Sequence, residues 1–469
     1  VITATAFAGK HYAVLGLARS GLATVEALLA SGAKVTAWDD DAGARDKLRS
    51  SPSLLGEVAG AQRLTEGPLH HPSDGPPPRD ELGEDLTVAD FTGADLAQFD
   101  SIVVTPGLPL NRHPIAQRAR DAGVEIIGDI ELFARARPEL PPHKVVGITG
   151  TNGKSTTTAL IHHILQTAGV PSLMGGNIGL PILSQDPLPE GGVYVLELSS
   201  YQIDLTQSLD CDVAVLLNIT PDHLDRYDSF EAYAASKERL FTMQSWEHDG
   251  IFVLDDPAAA AFGDPDFVGA FEYRKALSYT WHARAVDVSG FLLADTLQGP
   301  HNAQNAAAAW HVARHLKIKE RDSQLALRTY PGLPHRMERV REKDGVLFVN
   351  DSKATNAEAA APALAAYPKV RWIVGGQAKG ETLGQTADQL DHVVAAYTIG
   401  EAGPMFARLL REAGVTVVEC ETLENAVRSA AEDSQPGETV LLSPASASFD
   451  QFRDFEARGD KFREYVRAL

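Results

Sequence analysis

Three α/β domains in series are predicted for this chain, and three stretches carry that expectation. An apolar strand over residues 144–149 runs into the glycine-rich turn Gly150-Thr-Asn-Gly153, with a helical pattern behind it at Ala159, Leu160, Ile164 and Leu165. Residues 11–39 read as strand, glycine turn, helix and strand, ending on Asp39, which makes a Rossmann-like half unit. From about Gly332 onward the alternation returns, with strands over 345–350 and 369–376, near 397 and 415, and over 439–444. At 469 residues the chain exceeds one ordinary core, so several domains are expected.

In the first domain, His11-Tyr-Ala-Val-Leu15 leads into Gly16-Leu-Ala-Arg-Ser-Gly21, then a helical Ala/Leu run, then Lys34-Val-Thr-Ala-Trp38. A dinucleotide fingerprint wants glycine where Ala18 stands, while Asp39 follows at the distance of a ribose-binding acid. Residues 51–85 hold Pro72, Pro76, Pro77 and Pro78 with little apolar periodicity and read as a surface excursion. His70-His71 within it reads as solvated loop, since no second ligand cluster is near. Strands over 101–107 and 124–128 complete the domain.

A helix from Asp129 and a linker with Pro138, Pro141 and Pro142 precede the glycine-rich turn. That turn suits phosphate: backbone N–H groups close on phosphate oxygens, a helix N-terminus adds its dipole, Lys154 reaches outward and Ser155 can hold Mg²⁺. The spacing departs from the standard loop, because Ile148 lies five before Gly153 and Gly150 is the usable glycine. A chance glycine-rich turn is the alternative. Glu197 ends a buried strand over 192–197, where a carboxylate either ligates Mg²⁺ or simply closes the strand. A second strand over 212–218 opens into a segment holding His223 between Asp222 and Asp225, a candidate metal ligand. Lys237 lies on a helical run and reads on its own as a solvated lysine. Asn302 and Asn305 open an alanine-rich helix with amides suited to a purine edge or a cap. His311 and His315 share that helix, but Val312 stands where a zinc-protease motif needs Glu, so no metal site is expected there.

Over the whole chain, the net charge of −21 and pI near 5.1 exclude an electrostatic nucleic-acid binder. No apolar run approaches the roughly 18–20 residues that span a bilayer, so no membrane insertion is expected. Val1 to Leu17 lacks the basic leader of a signal peptide and reads as a strand. Cys211 and Cys420 are too few for a disulfide framework, which suits a reducing cytoplasm.

Taken together, seven motifs resemble the Mur ligases of peptidoglycan synthesis. They are Thr149-Gly-Thr-Asn-Gly-Lys-Ser155, Glu197-Leu-Ser-Ser200, Asp222-His-Leu-Asp-Arg226, His301-Asn302 with Asn305, Leu333-Pro-His-Arg336, Asn350-Asp-Ser-Lys-Ala-Thr-Asn356 and Leu442-Ser-Pro-Ala-Ser-Ala-Ser448. Gly128-Asp-Ile-Glu-Leu-Phe133, Gly176-Asn-Ile-Gly179 and Ser448-Phe-Asp-Gln-Phe452 further resemble the D-glutamate-adding members. The resemblance implies a Rossmann-like domain at 1–128 for the UDP substrate, a central P-loop ATPase domain at 129–332 and a C-terminal Rossmann-like domain at 333–469 for the amino acid. It implies transfer of the ATP γ-phosphoryl group to the carboxylate of UDP-N-acetylmuramoyl-L-alanine. D-glutamate then attacks the acyl phosphate, and ADP and phosphate leave.

By the same resemblance, Gly150, Thr151, Asn152, Gly153, Lys154, Ser155 and Thr156 hold ATP, with Asn302, Asn305, Arg336, Asp351 and Lys353. Ser155 and Glu197 hold one Mg²⁺, and His223 with an N-carboxylated Lys237 (a carbamate derived from CO₂) holds a second. Catalysis falls to Lys154, His223 and Lys237. Ser20, Gly21, Asp39, Gly107 and Asn177 face the UDP substrate; Thr355, Lys379, Ser448, Phe449 and Phe455 face D-glutamate. A cytoplasmic monomer serving cell-wall synthesis, cell shape and division is implied. The chain departs from the family at Ala18 and Arg19, and at Asp40 and Asp41, where better-known members have Thr and Arg near uracil. Those two acids read as solvated. An NAD-dependent oxidoreductase, resting on the first 40 residues, and a nucleotide switch without ligation are the competing classes. Within the family, rivals add L-alanine, a diamino acid, or glutamate to folate.

Overall fold

The computed structural model describes residues 1–50, 85–222, 226–257, 259–260, 279–297, 299–378 and 380–469. Most of the proline-rich excursion, with His70 and His71, lies outside the described residues, as do the candidates His223 and Lys379. The chain forms two compact units, Val1–Ala283 with His311–Ile318, and Arg284–Trp310 with Lys319–Leu469.

The first unit contains two parallel sheets. One is built from β1 (His11–Leu15), β2 (Lys34–Trp38), β3 (Leu86–Val88), β4 (Ser101–Val104) and β5 (Glu125–Ile127) in the order β3-β2-β1-β4-β5. Strand order reverses between β1 and β4, which opens a crevice at their C-terminal ends. The other sheet uses β6 (His143–Thr149), β7 (Ser172–Gly176), β8 (Gly192–Glu197), β9 (Val213–Leu216), β10 (Asp249–Val253) and β11 (Tyr279–Ala283), ordered β11-β10-β9-β6-β8-β7. Strands β8 and β9 are buried at every position, as expected of parallel strands covered on both faces. One continuous apolar cluster runs from Tyr12 and Val103 through Phe133 to Val145, Tyr194 and Phe241. This shared core makes the two sheets one unit, a feature that strand–helix alternation cannot reveal. The helix Asp129–Ala136 helps join them: buried Glu131 accepts from Gln207 N and Ser208 N at 2.7 and 2.9 Å.

The second unit carries a six-stranded sheet of β12 (Glu338–Lys343), β13 (Val346–Asn350), β14 (Val370–Gly375), β15 (Val393–Ile399), β16 (Val417–Glu421) and β17 (Thr439–Leu442). Its order is β12-β13-β17-β14-β15-β16. All pairs are parallel except β12 with β13, and β12, Glu-Arg-Val-Arg-Glu-Lys, is a charged edge strand. Strands β3, β7, β10, β11 and β12 were not anticipated; β3 is three residues long and β12 is mostly charged, which leaves no apolar run to find. The thiols of Cys211 and Cys420 are buried and free.

Candidate active site

β6 lies between β8 and β9, so the turn that follows it sits between Glu197, which ends β8, and Asn218, two residues past the end of β9. The turn needs its glycines: Gly150 has φ +149 and Gly153, which caps the helix Lys154–Thr167, has φ +83. Asn218 fastens the turn. Its Oδ1 accepts from Thr151 N at 3.1 Å and Asn152 N at 2.8 Å, and its Nδ2 donates to Asn152 O at 3.1 Å. Thr151 Oγ1 donates to Thr220 O at 3.1 Å and lies 3.1 Å from Tyr233 Oη.

Into this loop come two lysines. Lys154 Nζ donates to Gly150 O at 2.8 Å and Thr151 O at 2.7 Å. Lys237 Nζ, from the helix Phe230–Thr242, donates to the same Gly150 O at 3.0 Å and lies 4.5 Å from the centre of the Tyr233 ring. Lys237 is only 1% exposed, which overturns its reading as a solvated helix lysine. Burial, reinforced by the Lys154 charge, holds its amine well below the usual lysine range, against a smaller opposing pull from Asp222 and Asp204. On the other side Ser155 Oγ donates to Glu197 Oε2 at 2.5 Å, both residues buried, and Asn177 Nδ2 donates to Glu197 Oε1 at 3.1 Å. Thr156 follows, half-buried, on the first helical turn. Seven loop residues with Glu197, Lys237 and Asn177 therefore form one cluster; Asn177, expected near the sugar, stands against Glu197. Among the described residues no group of three or more His, Cys, Asp and Glu side chains is arranged for a metal, and His315 pairs with Asp249.

At the crevice between β1 and β4 lies a cleft of about 420 Å³, lined by Gly16, Asp39, Asp40, Thr105, Gly107 and His113 among others. Gly21 is required against the cleft residue Gly16, because a Cβ there would lie 1.9 Å from Gly16 O. Ser20 O accepts from Thr24 Oγ1 in the same helix. Asp39 ties the turn itself, accepting from Leu17 N at 2.6 Å and Asp41 N at 2.9 Å. The neighbouring acids have structural partners instead of being merely solvated: Asp40 accepts from Trp38 Nε1 at 3.2 Å, and Asp41 caps the helix Ala42–Arg49 through Gly43 N at 2.9 Å. Sequence reading overlooked Arg226, whose guanidinium donates to Pro106 O, Gly107 O and Leu108 O at 3.3, 3.1 and 2.8 Å.

In the second unit, Asn305 Nδ2 donates to Asn302 Oδ1 at 3.1 Å on the helix Pro300–His315, and burial brings the neighbouring His301 down to about 4. Arg336 is bracketed by His335 and Met337, two non-glycine residues in left-handed backbone at φ +62 and +48. Asp351 accepts from Met337 N at 3.2 Å and Ser443 Oγ at 2.9 Å, and burial pushes its carboxyl up to about 7. Lys353 Nζ lies 3.9 Å from the centre of the Phe455 ring, so two candidates assigned to different ligands touch. Thr355 N donates to Lys353 O at 2.8 Å. Ser448 is buried while Phe449 is 70% exposed. Buried Arg458, another omission, donates to Ser352 O, Ser446 O and Ala447 O at 2.9, 3.1 and 3.2 Å, shaping the segment before Ser448.

Family models match twice: the Mur ligase middle domain over residues 148–313 and the Mur ligase glutamate ligase domain over residues 335–446. The UDP-N-acetylmuramoylalanine–D-glutamate ligase of Novosphingobium aromaticivorans is 56% identical, with 100% of this chain and 97% of that protein covered. The enzyme of the same name from Zymomonas mobilis is 53% identical, with 100% of each covered. Among solved structures, the UDP-N-acetylmuramate-alanine ligase MurC of Thermotoga maritima superposes with a TM-score of 0.55 at 15% identity, over 98% of this chain and 99% of that one. MurF ligase from Thermotoga maritima in complex with ADP gives 0.54 at 15% identity, over 100% and 97%. At such identities these two structures speak for the fold.

Proposed function

Because the chain belongs to the Mur ligases, and within them to the UDP-N-acetylmuramoylalanine–D-glutamate ligases, we infer that it joins D-glutamate to UDP-N-acetylmuramoyl-L-alanine in peptidoglycan precursor synthesis, using ATP. The oxidoreductase and nucleotide-switch readings give way to that membership. The observation that carries the chemistry is the convergence of Lys154, Ser155, Glu197 and Lys237 on the loop after β6.

A carboxylate resists attack by an amine because it lacks a leaving group. Transfer of the γ-phosphoryl group to the L-alanine carboxylate, with release of ADP, supplies one. The D-glutamate amine then adds to the acyl carbon, loses a proton and expels phosphate. The loop amides and Lys154 orient the phosphates and stabilise charge on the transferring group. Mg²⁺ fits the pair of Ser155 hydroxyl and Glu197 carboxylate, hard oxygen donors that leave positions for phosphate oxygens and water. When bound it neutralises phosphate charge. His223 is assigned to a second ion.

Lys237 fits N-carboxylation, since burial shifts its amine toward the neutral form, and a neutral amine can bond to the carbon of CO₂ with loss of one proton. The product presents anionic oxygens where an amine stood. Asn302 and Asn305 are assigned to adenine, Arg336 and Asp351 to ATP, and Lys353 to its phosphates. Thr355, Lys379, Ser448, Phe449 and Phe455 are assigned to D-glutamate, while Ser20, Gly21, Asp39, Gly107 and Asn177 serve the UDP substrate. Functional boundaries at 1–128, 129–332 and 333–469, a monomeric state, a cytoplasmic location and a part in cell shape and division complete the proposal. No helix among the described residues is long and apolar enough to cross a membrane.

The test is phosphate release with ATP, Mg²⁺ and UDP-N-acetylmuramoyl-L-alanine, comparing D-glutamate, L-glutamate and a diamino acid. Stimulation by D-glutamate is expected, and its absence refutes the assignment.

A further inference from the structure

The cleft at the β1/β4 crevice and the loop after β6 belong to different sheets of the first unit, yet residues following β9 serve both. Asn218 and Thr220 hold the phosphate loop through Thr151 and Asn152. Arg226, a few residues on, crosses to the other sheet and donates to three successive carbonyl oxygens, those of Pro106, Gly107 and Leu108. Gly107 and Leu108 form part of the wall of the cleft at the β1/β4 crevice. The guanidinium also stacks 4.3 Å from the centre of the Tyr201 ring, whose neighbour Tyr227 lies parallel to it at 6.1 Å. Ser236, adjacent to Lys237, donates to Ser200 O at 3.1 Å, so the same packing continues to the helix of the activating lysine.

An arginine that spends its donors on backbone carbonyls, with no carboxylate partner among the described residues, fixes the shape of a loop. Its planar fork spreads these bonds over two nitrogens, Nη1 to Gly107 O and Nη2 to Pro106 O and Leu108 O, where an ammonium would have to gather all three acceptors around one atom. Proline at 106 removes one N–H that the loop could otherwise use to hold itself. We propose that Arg226 is a positioning residue for the UDP substrate: it holds the 106–108 wall of the nucleotide cleft in register with the phosphate loop, so that a substrate seated by its UDP end delivers its far carboxylate to the ATP site. The proposal rests on the ligase assignment above and adds a residue to it.

Arg226→Ala and Arg226→Lys, with the wild-type chain alongside, separate the two. UDP affinity is measured by calorimetry, KM is measured separately for ATP and for UDP-N-acetylmuramoyl-L-alanine, and melting is followed for each protein. Loss of the charge-assisted bonds is expected to weaken UDP binding and raise the UDP-substrate KM about tenfold in the alanine variant, less in the lysine variant, with the ATP KM within about twofold. Unchanged UDP affinity in a folded variant, or equal losses for UDP and ATP, overturns the proposal. If Arg226→Ala does not fold, the lysine variant decides by the same ratio. A wild-type chain that binds UDP but is not stimulated by D-glutamate refutes the ligase assignment and leaves the Arg226 result to be read from UDP affinity alone.

Discussion

Lys154 and Lys237 donate to one and the same carbonyl oxygen, that of Gly150, at 2.8 and 3.0 Å. Two amines on one acceptor cannot both be charged cheaply when one of them is 1% exposed. The cost falls on Lys237, whose amine is held toward its neutral form by burial and by the charge of half-buried Lys154, the lysine proposed to reach the phosphates.

Lys237→Ala is therefore expected to lower ligation by about 100-fold or more, in the range of losing one preorganised electrostatic group. Short carboxylates such as formate or acetate should restore part of the rate, because they supply the anionic oxygens that a carbamate would. Phosphate release measured with and without added carboxylate checks this. An unaffected mutant removes Lys237 from the site.

Asn218→Leu leaves the N–H groups of Thr151 and Asn152 without their shared side-chain acceptor. The chain should fold, since Thr151 N also donates to Asn218 O at 3.0 Å. The KM for ATP should rise by about tenfold, the effect of one to two lost hydrogen bonds on a loop that must be preformed. UDP affinity should not change.

Gly459→Ala tests the second unit. A Cβ at Gly459 would lie 2.1 Å from His335 Nδ1, and that ring is buried and held by Asn350 Nδ2 at 3.0 Å. The overpacked variant should lose about 1–3 kcal/mol of stability, read from chemical denaturation. Because His335 precedes Arg336, the KM for ATP should rise as well.

Asp129 offers a pH test. It is buried beside Ser20, Gly21 and Thr105, and burial pushes its carboxyl up to about 6 from an unfolded value of 3.8. A raised folded pKa means that its favourable contribution is complete below about pH 4 and is lost as pH climbs through about 6. Asp129→Asn should accordingly gain roughly 1–3 kcal/mol relative to wild type at pH 8 and little at pH 4. Denaturation curves at the two pH values decide it; an equal effect at both contradicts the assignment.

Local patterns were enough for much of this molecule. The strand–glycine–helix grammar located β1, β6 and the phosphate loop, and the acid closing β8 marked Glu197, because a buried apolar run that stops on a carboxylate is visible in the chain itself. Resemblance of short motifs pointed to the family. Other features were invisible for physical reasons. Tyr233 and Lys237 lie four apart on one helical face, a signal that was available, but nothing local says that this face is buried. Asn218 reads as the end of a strand, and Arg226 only as the last residue of a motif.

The amino-acid sequence by itself determined the alternation of strands and helices, the phosphate-binding turn and the kinds of side chain available, since those follow from spacing and residue type. Only the tertiary structure decided that β6 lies between β8 and β9. That order brings Ser155 to Glu197 and Asn218 to the loop, and helix packing brings a second lysine to Gly150 O. Charge state, burial and shared acceptors depend on neighbours distant in the chain, and those neighbours exist only once the sheets have assembled.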